Sequence, residues 1–168
     1  MPVAERLATA MDVPFDGQYH QHQTDVPFYG AYVGQLALPV KADTITYLTN
    51  DEMAHCVVTS YNSGKPQEAA LYDMAKLQGR DPYEMFLCGS DALVTVENPD
   101  CHNGRELVIF RDSFASSLAP LLIGSYEKIT LIDLRYIRPE LVGEFVDFSN
   151  QDVLFLYSTL VLNAGLGT

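Results

Sequence analysis

Two adjacent residues, Asp112 and Ser113, have the types and the placement for nucleophilic chemistry. They directly follow an apolar run over 106–110 that predicts a buried strand, and they precede a helical pattern over 116–123. A serine at a tight strand-to-helix turn projects its hydroxyl beyond the strand end, where free N–H groups of the helix can hold an oxyanion. In the alternative interpretation, Asp112 or Ser113 only caps the helix.

A serine nucleophile needs a base within hydrogen-bond reach and an acid that orients the base. The chain has four histidines, and none of them follows Ser113. His102 precedes the strand and belongs at its amino end, and His55 adjoins the start of another predicted strand. His20 and His22 are the candidate bases, because they lie in a polar segment that can fold over the cleft. Two ligands in a His-x-His spacing are a weak metal signal, so we predict no metal site and no cofactor.

A second group of polar residues follows the apolar run at 128–134. Arg135 has the chemistry to hold a carboxylate or a sugar hydroxyl, and Tyr136 has an aromatic face that can stack on a sugar ring. We therefore assign both residues to substrate binding. In the alternative interpretation, Asp133 forms a structural ion pair with Arg135 or with Arg111.

The elements that position these residues are strands of nearly continuous hydrophobicity. Apolar runs at 106–110, 128–134 and 153–157 are separated by helical patterns at 116–123 and 139–148. Such runs, alternating with helices, predict a βαβαβ unit in a parallel sheet that is buried on both faces. Ligands bind beyond the carboxyl ends of the strands in sheets of this kind, and the polar residues lie there in sequence.

The N-terminal half has weaker and less regular patterns. We predict a helix at 2–11, a loop at 12–27, a closely packed apolar segment at 28–38, strands at 44–48, 56–60, 86–88 and 92–96, and a helix at 67–77. The 168 residues therefore predict a single α/β domain, 1–168, with an irregular, partly antiparallel N-terminal half.

Composition excludes several classes of function. The formal net charge is −12, and only ten residues are lysine or arginine. Phosphate binding needs clustered basic residues, so nucleic acid and anionic membrane surfaces are excluded as partners. The three cysteines form no Cys-x-x-Cys pair, which argues against a zinc site or a disulfide framework. The chain shows no signal peptide and no apolar run of the roughly 18 residues that span a bilayer.

Three segments in fixed order carry a resemblance to a known family. The runs at 106–122, which contains Arg-Asp-Ser-Phe, at 126–136 and at 152–157 resemble the C-terminal half of DHHW proteins. This family belongs to the SGNH/GDSL hydrolase-like group and is related to the alginate O-acetylation proteins. The segment Phe28-Tyr29-Gly30, followed by the run at 43–47, resembles the part that the family places between its two halves.

The resemblance implies a flavodoxin-like, SGNH-hydrolase-like sheet and a serine that acts on acyl esters of carbohydrate. Ser113 matches the family's nucleophile, and Asp112 matches the acid beside it. Arg135 and Tyr136 match a strand-end pair that supports the active site. By the same resemblance, Tyr29 and Gly30 are assigned to the substrate-binding side.

The sequence also departs from the family. The Asp-His-His-Trp stretch that supplies the acid and base is absent, and the chain contains no tryptophan. The glycine usual before Asp-Ser is replaced by Arg111. We therefore expect a catalytically incomplete esterase or O-acetyltransferase domain of the bacterial cell envelope, either lacking its N-terminal segment or naturally inactive.

Two other readings of the same fold stay open. One is a non-catalytic glycan-binding or interaction domain that uses Tyr29, Tyr32 and Tyr136. The other is a domain completed by a second chain, as a homodimer or with the missing N-terminal half. Taken by itself, the chain is predicted to be a soluble, non-exported domain. A cell-envelope or extracellular location follows only if it belongs to a longer exported protein.

Overall fold

The computed structural model describes residues 2–30, 33, 39–62 and 64–165. The described strands form two sheets. The smaller is an antiparallel ribbon of β1 (His20–Phe28) and β2 (Asp43–Thr49). The larger contains six strands, which are β3 (Val57–Ser60), β4 (Gln67–Ala69), β5 (Leu93–Glu97), β6 (Glu106–Arg111), β7 (Lys128–Ile132) and β8 (Asp152–Leu156).

The large sheet is mixed, in the order β4-β3-β5-β7-β6-β8. Strand β6 pairs in parallel with both β7 and β8, whereas β5, β3 and β4 join by antiparallel pairing. The prediction of parallel C-terminal strands and a partly antiparallel N-terminal half is confirmed, and the sheet as a whole is mixed. The carboxyl ends of β6, β7 and β8 consequently meet at one edge of the sheet.

Helices are short in the described residues. The α-helices are α1 (Pro2–Ala10), α2 (Phe114–Leu118) and α3 (Thr159–Ala164), and the 3₁₀ helices are Glu52–Ala54, Met74–Gln78, Pro82–Met85, Ala119–Ser125 and Pro139–Glu144. Proline occupies the first turn of three 3₁₀ helices, where its missing N–H costs no hydrogen bond. The predicted helices at 116–123 and 139–148 are therefore largely 3₁₀ turns.

Two predicted elements of the N-terminal half are wrong. The loop at 12–27 contains most of β1, which lacks an apolar alternation because only Thr24 within it is buried. The helix at 67–77 is instead the strand β4 followed by a 3₁₀ helix, because Asp73 accepts a hydrogen bond from the Ala75 N–H and starts a new turn. The predicted strand at 86–88 is reduced to one bridge between Tyr72 and Phe86. The predicted apolar segment at 28–38 lies mostly outside the described residues.

Both faces of the large sheet are covered. Leu107 and Ile109 of β6 point to the face that packs against α1 and the 3₁₀ helix Ala119–Ser125. Val108 points to the opposite face, where it packs with Val142 and its neighbours. This alternation under two covers explains why β6 is apolar at successive positions.

Candidate functional site

The turn after β6 is held by Asp112. The Asp112 carboxylate is buried and accepts two main-chain hydrogen bonds, from the Phe114 N–H at 2.9 Å and from the Ser158 N–H at 2.6 Å. The Asp112 N–H donates to the Leu156 carbonyl at 3.2 Å. Asp112 therefore ties the first turn of α2 to the end of β8 and fixes where Ser113 stands.

Ser113 occupies the position just before α2 and is exposed to solvent. Its hydroxyl makes no capping hydrogen bond to the helix. Within the described residues, the Ser113 N–H has no acceptor either. Asp112, not Ser113, takes the capping role, so the serine hydroxyl is uncommitted.

Ser113 opens into a cavity of about 260 Å³ at the edge where the parallel strands end. The side chains and main chain that line it are Asp81, Tyr83, Glu84, Gly89, Ser90, Ser113, Ser116, Arg135 and Tyr136. The structure thus brings together three of the residues that the sequence assigned to one site, Ser113, Arg135 and Tyr136. Their chemical roles stay predictions.

Arg135 is already engaged with a carboxylate. Its guanidinium donates to both oxygens of Asp133, from Nε at 2.9 Å and from Nη2 at 2.6 Å. Asp133 is fully buried, and this hydrogen bond raises the pKa of Arg135. Arg135 also lies over the ring of Tyr136, 5.3 Å from its centroid. Within the described residues, the guanidinium of Arg135 keeps further N–H donors beyond this pair, and Arg135 lines the cavity.

Sequence reasoning named Arg111 only as a departure from the family motif and as an alternative partner of Asp133, and gave it no place in the site. It is 0% exposed, and its Nη1 donates to the Gly89 carbonyl at 2.9 Å and to the Ser116 hydroxyl at 2.7 Å. Its Nη2 donates to the Asp91 carbonyl at 3.1 Å. Burial lowers the pKa of Arg111 from its usual value. Arg111 therefore holds two residues of the cavity lining, Gly89 and Ser116, and its sequence signal was an arginine at the end of an apolar strand.

The loop that Arg111 holds has an uncommon backbone. Leu87, Cys88 and Gly89 all have positive φ, at 42°, 62° and 60°. A positive φ is strained for residues other than glycine. Two such residues in succession, Leu87 and Cys88, therefore need support from the surrounding structure. The Arg111 hydrogen bonds supply that support on one side of the Ser113 cavity.

No histidine joins this site. All four histidines are described, and none lines the Ser113 cavity. His22 lies on β1, where its Nε2 contacts the Thr49 hydroxyl at 2.8 Å and its ring stacks on Tyr47. Strand β1 is nine residues long and begins at His20. The ring of Phe28, at the other end of β1, stacks on Tyr83, which lines the Ser113 cavity. His20 is thus about 26 Å along the strand from that end, and His22 about 20 Å, so the structure does not bring either candidate base to Ser113.

The other two histidines are surface groups. His55 Nδ1 lies 2.6 Å from the Asp100 carboxylate, and this hydrogen bond raises the pKa of His55. His102 is exposed in the loop before β6, at the amino end of that strand. Both positions agree with the expectation that neither serves Ser113.

Tyr29 and Gly30 line a neighbouring cavity of about 880 Å³ between the end of β1 and the segment at 77–84. Asp81 and Glu84 line both this cavity and the Ser113 cavity, so the two spaces adjoin. Gly30 has φ +67°, which favours glycine. Tyr32 lies outside the described residues. Tyr29 and Gly30 are consequently beside the Ser113 cavity and not in it.

The described residues form neither a metal-binding cluster nor a membrane-spanning helix. They hold no group of three or more histidine, cysteine, aspartate or glutamate side chains able to bind a metal ion. Among the described helices, none has the length and apolar character to cross a bilayer.

Solved structures share this architecture. A DHHW family protein from Eubacterium siraeum superposes with a TM-score of 0.68 at 24% identity, over 92% of this chain and 53% of that chain. PatB1 of Bacillus cereus with a sulfonyl adduct gives 0.68 at 16% identity, over 99% of this chain and 56% of that one. PatB1 without the adduct gives 0.68 at 15% identity, over 99% and 57%.

The shared property is the fold. The chain spans about half the length of these solved structures. No family model matches the chain, and no curated protein matches it. The likeness supports the resemblance to DHHW proteins at the level of architecture.

Proposed function

We propose that this chain carries the nucleophile part of an SGNH-like serine acyl-transfer site, and that the part described here lacks its base. The substrate class would be acyl esters of cell-envelope carbohydrate, with hydrolysis or O-acetyl transfer as the outcome. The observation that carries the proposal is the exposed, uncommitted hydroxyl of Ser113 at a buried strand end, inside a cavity that also holds Arg135 and Tyr136.

The fold comparison supports this chemistry. Architecture is shared with a DHHW family protein and with PatB1, and one PatB1 structure contains a sulfonyl adduct. Sulfonyl electrophiles form adducts with nucleophilic side chains. In this chain Ser113 is the group with the matching placement, because it is an exposed strand-end serine whose own N–H has no acceptor within the described residues.

Each residue of the site would have its own role in the reaction. The Ser113 Oγ attacks the ester carbonyl, its proton leaves to a base, and the sugar oxygen departs with a proton. Water or another sugar hydroxyl then takes the acyl group from Ser113. Asp112 acts as a positioning residue, since both of its oxygens accept main-chain hydrogen bonds. Arg135 and Tyr136 would contact the sugar.

The test is covalent labelling of Ser113 with a small sulfonyl fluoride, followed by intact mass and peptide mapping. We expect slow labelling of wild type at Ser113, because loss of a triad member removes most but not all of the activation. Added imidazole, which stands in for the missing base, should accelerate labelling in wild type and leave Ser113→Ala unlabelled. Ser149→Ala, an exposed serine on a remote loop, is the matched control and should label like wild type.

Absence of labelling with and without imidazole would refute the nucleophile assignment. Labelling distributed over surface serines would refute it equally, since it would show that Ser113 has no special reactivity.

A glycan-binding domain without catalysis is the second candidate. It is favoured by one observation, that no histidine lines the Ser113 cavity while Tyr136 on its wall is exposed. Retention of glycan by a protein whose Ser113 stays unlabelled would select this candidate.

A further inference from the structure

The loop at 87–91 forms part of the wall of the Ser113 cavity, and its main chain has an unused donor there. Gly89 and Ser90 line the cavity together with Ser113. The N–H groups of Gly89 and Asp91 donate to the carbonyls three residues earlier in the chain, at 2.9 Å and 3.3 Å. Within the described residues, the N–H of Ser90, which lies between them, has no acceptor.

The direction of the Ser90 N–H follows from the planarity of the peptide bond. The peptide between Gly89 and Ser90 is trans, so its C=O and its N–H point in opposite directions. The Gly89 carbonyl accepts a hydrogen bond from Nη1 of Arg111 at 2.9 Å, and Arg111 is fully buried. The Ser90 N–H therefore points away from the buried guanidinium, to the side on which Ser90 is exposed and borders the cavity.

Arg111 also makes this N–H a stronger donor. A cation at the Gly89 carbonyl draws electron density toward the carbonyl oxygen and leaves the N–H of the same peptide more positive, an effect that is larger at low dielectric. The direct partners of Arg111 are uncharged, and the nearby carboxylate of Asp133 accepts two hydrogen bonds from Arg135. The charge of Arg111 therefore favours negative charge that develops in the cavity.

The loop is fixed in this arrangement before any substrate binds. Leu87 and Cys88 have φ of 42° and 62°, a strained backbone that persists only where its surroundings hold it. Arg111 holds two carbonyls of the loop, those of Gly89 and Asp91, at 2.9 Å and 3.1 Å. A donor that is already aimed costs no reorganisation at the moment of reaction.

We propose that Arg111 promotes acyl transfer at Ser113 through the Gly89–Ser90 peptide, whose N–H it aims into the cavity and polarises. Ser90 is then a catalytic residue through its main chain, and Arg111 is its positioning residue. These roles rest on the proposed function, because they need Ser113 as the nucleophile.

The donor acts on the oxygen that becomes negative. When Oγ of Ser113 bonds to the ester carbonyl carbon, its proton passes to a base and the π electron pair of the C=O bond moves onto the carbonyl oxygen. The Ser90 N–H, together with the Ser113 N–H, donates to that oxygen and stabilises its charge. The pair then re-forms the C=O bond, while the alcohol oxygen leaves with the electrons of its own bond and takes up a proton.

The test is acetylation of Ser113 by 4-nitrophenyl acetate in imidazole buffer, followed by intact mass and peptide mapping at a series of ester concentrations. Ser90→Ala keeps the N–H and Ser90→Pro lacks it, so the comparison of these two variants isolates the donor. We expect the limiting rate of Ser90→Pro to be at least tenfold lower at a similar half-saturating concentration, because one such donor contributes roughly 10²–10³ in rate. An ester linkage in place of the residue 90 amide, made with an α-hydroxy acid, removes the N–H without a proline ring and should act alike.

Substitution of Arg111 tests the positioning role. Arg111→Met should also lower the limiting rate at least tenfold, and Arg111→Lys should restore part of it, because lysine keeps the charge and a donor. Ser149→Ala, at an exposed serine on a remote loop, is the control and should be acetylated like wild type. Circular dichroism identifies any variant that fails to fold, and the ester-linked protein keeps the arginine in place.

Two results would overturn the role of Ser90 alone. One is an equal limiting rate in Ser90→Ala, Ser90→Pro and the ester-linked protein. The other is a change confined to the half-saturating concentration, because the N–H would then serve binding only. Absence of acetylation at Ser113 in wild type would instead refute the proposed function, and the role of Ser90 with it.

Discussion

Arg111 is a buried cation whose direct hydrogen-bond partners are all uncharged. Its guanidinium reaches two carbonyls of the loop at 89–91 and the hydroxyl of Ser116, and the nearby charge of Asp133 raises its pKa against the larger lowering by burial. Desolvating such a charge is costly, and only good hydrogen bonds offset the cost. Its place directly before Asp112 makes it a structural support of the candidate site.

We expect Arg111→Ala to lower the free energy of unfolding by about 3 kcal/mol, because buried carbonyl and hydroxyl acceptors lose a charged donor and a cavity is left. Urea denaturation measures the change. Arg138→Ala, at an exposed arginine, should stay within about 0.5 kcal/mol of wild type. A loss below about 1 kcal/mol would show that relief of the desolvation penalty balances the lost hydrogen bonds.

At the scale of elements, two connecting segments form the site, the turn after β6 and the loop at 87–91. The turn after β6 presents Ser113, and the loop at 87–91 presents Gly89 and Ser90 opposite it. Gly89 has φ +60°, and a Cβ added there would lie 3.0 Å from the Cβ and Cγ of Glu84. Both the backbone angle and the space therefore require glycine at this position.

Gly89→Ala should destabilise the fold by about 1–3 kcal/mol, because alanine is strained at this φ and crowds Glu84. Thermal unfolding followed by circular dichroism measures it. Gly143→Ala is the control, since a Cβ at Gly143 meets nothing within 4 Å and its backbone is not left-handed. Gly143→Ala should be neutral or slightly stabilising, and equal effects at the two glycines would contradict this account.

The whole molecule is dominated by its negative charge. The net charge is −12, and of the ion pairs of the described residues, Lys76 with Glu84 is exposed and Lys128 with Glu97 is partly exposed. Exposed pairs contribute little to stability, whereas self-repulsion of a highly charged chain opposes compactness. Salt should therefore relieve more repulsion than it removes attraction.

We expect the melting temperature to rise by about 2–4 °C between about 0.01 M and 0.15 M sodium chloride, as the Debye length falls from about 30 Å to about 8 Å. Potassium chloride at the same ionic strength should give the same shift, which separates screening from specific ion binding. A melting temperature that falls with salt would mean that ion pairs outweigh repulsion.

The sequence by itself determined the C-terminal strands and the turn that carries Ser113. Runs such as 106–110 are apolar at successive positions because both faces of the sheet are covered, and this requirement is visible without coordinates. The polar residues after β6 and β7 follow from the same local pattern. The capping role of Asp112 and the Asp133–Arg135 pair were stated as alternatives and are what the structure contains.

The tertiary structure decided what depends on partners far away in the chain. β1 is a strand because β2 pairs with it, since six of its own nine residues are exposed and only Thr24 is buried. Arg111 can be buried because carbonyls about twenty residues earlier accept hydrogen bonds from its guanidinium. His20 and His22 lie away from Ser113 because the same ribbon carries them to the far end of β1. Local sequence patterns do not predict long-range strand pairing or the burial of a polar residue, so only the folded chain shows them.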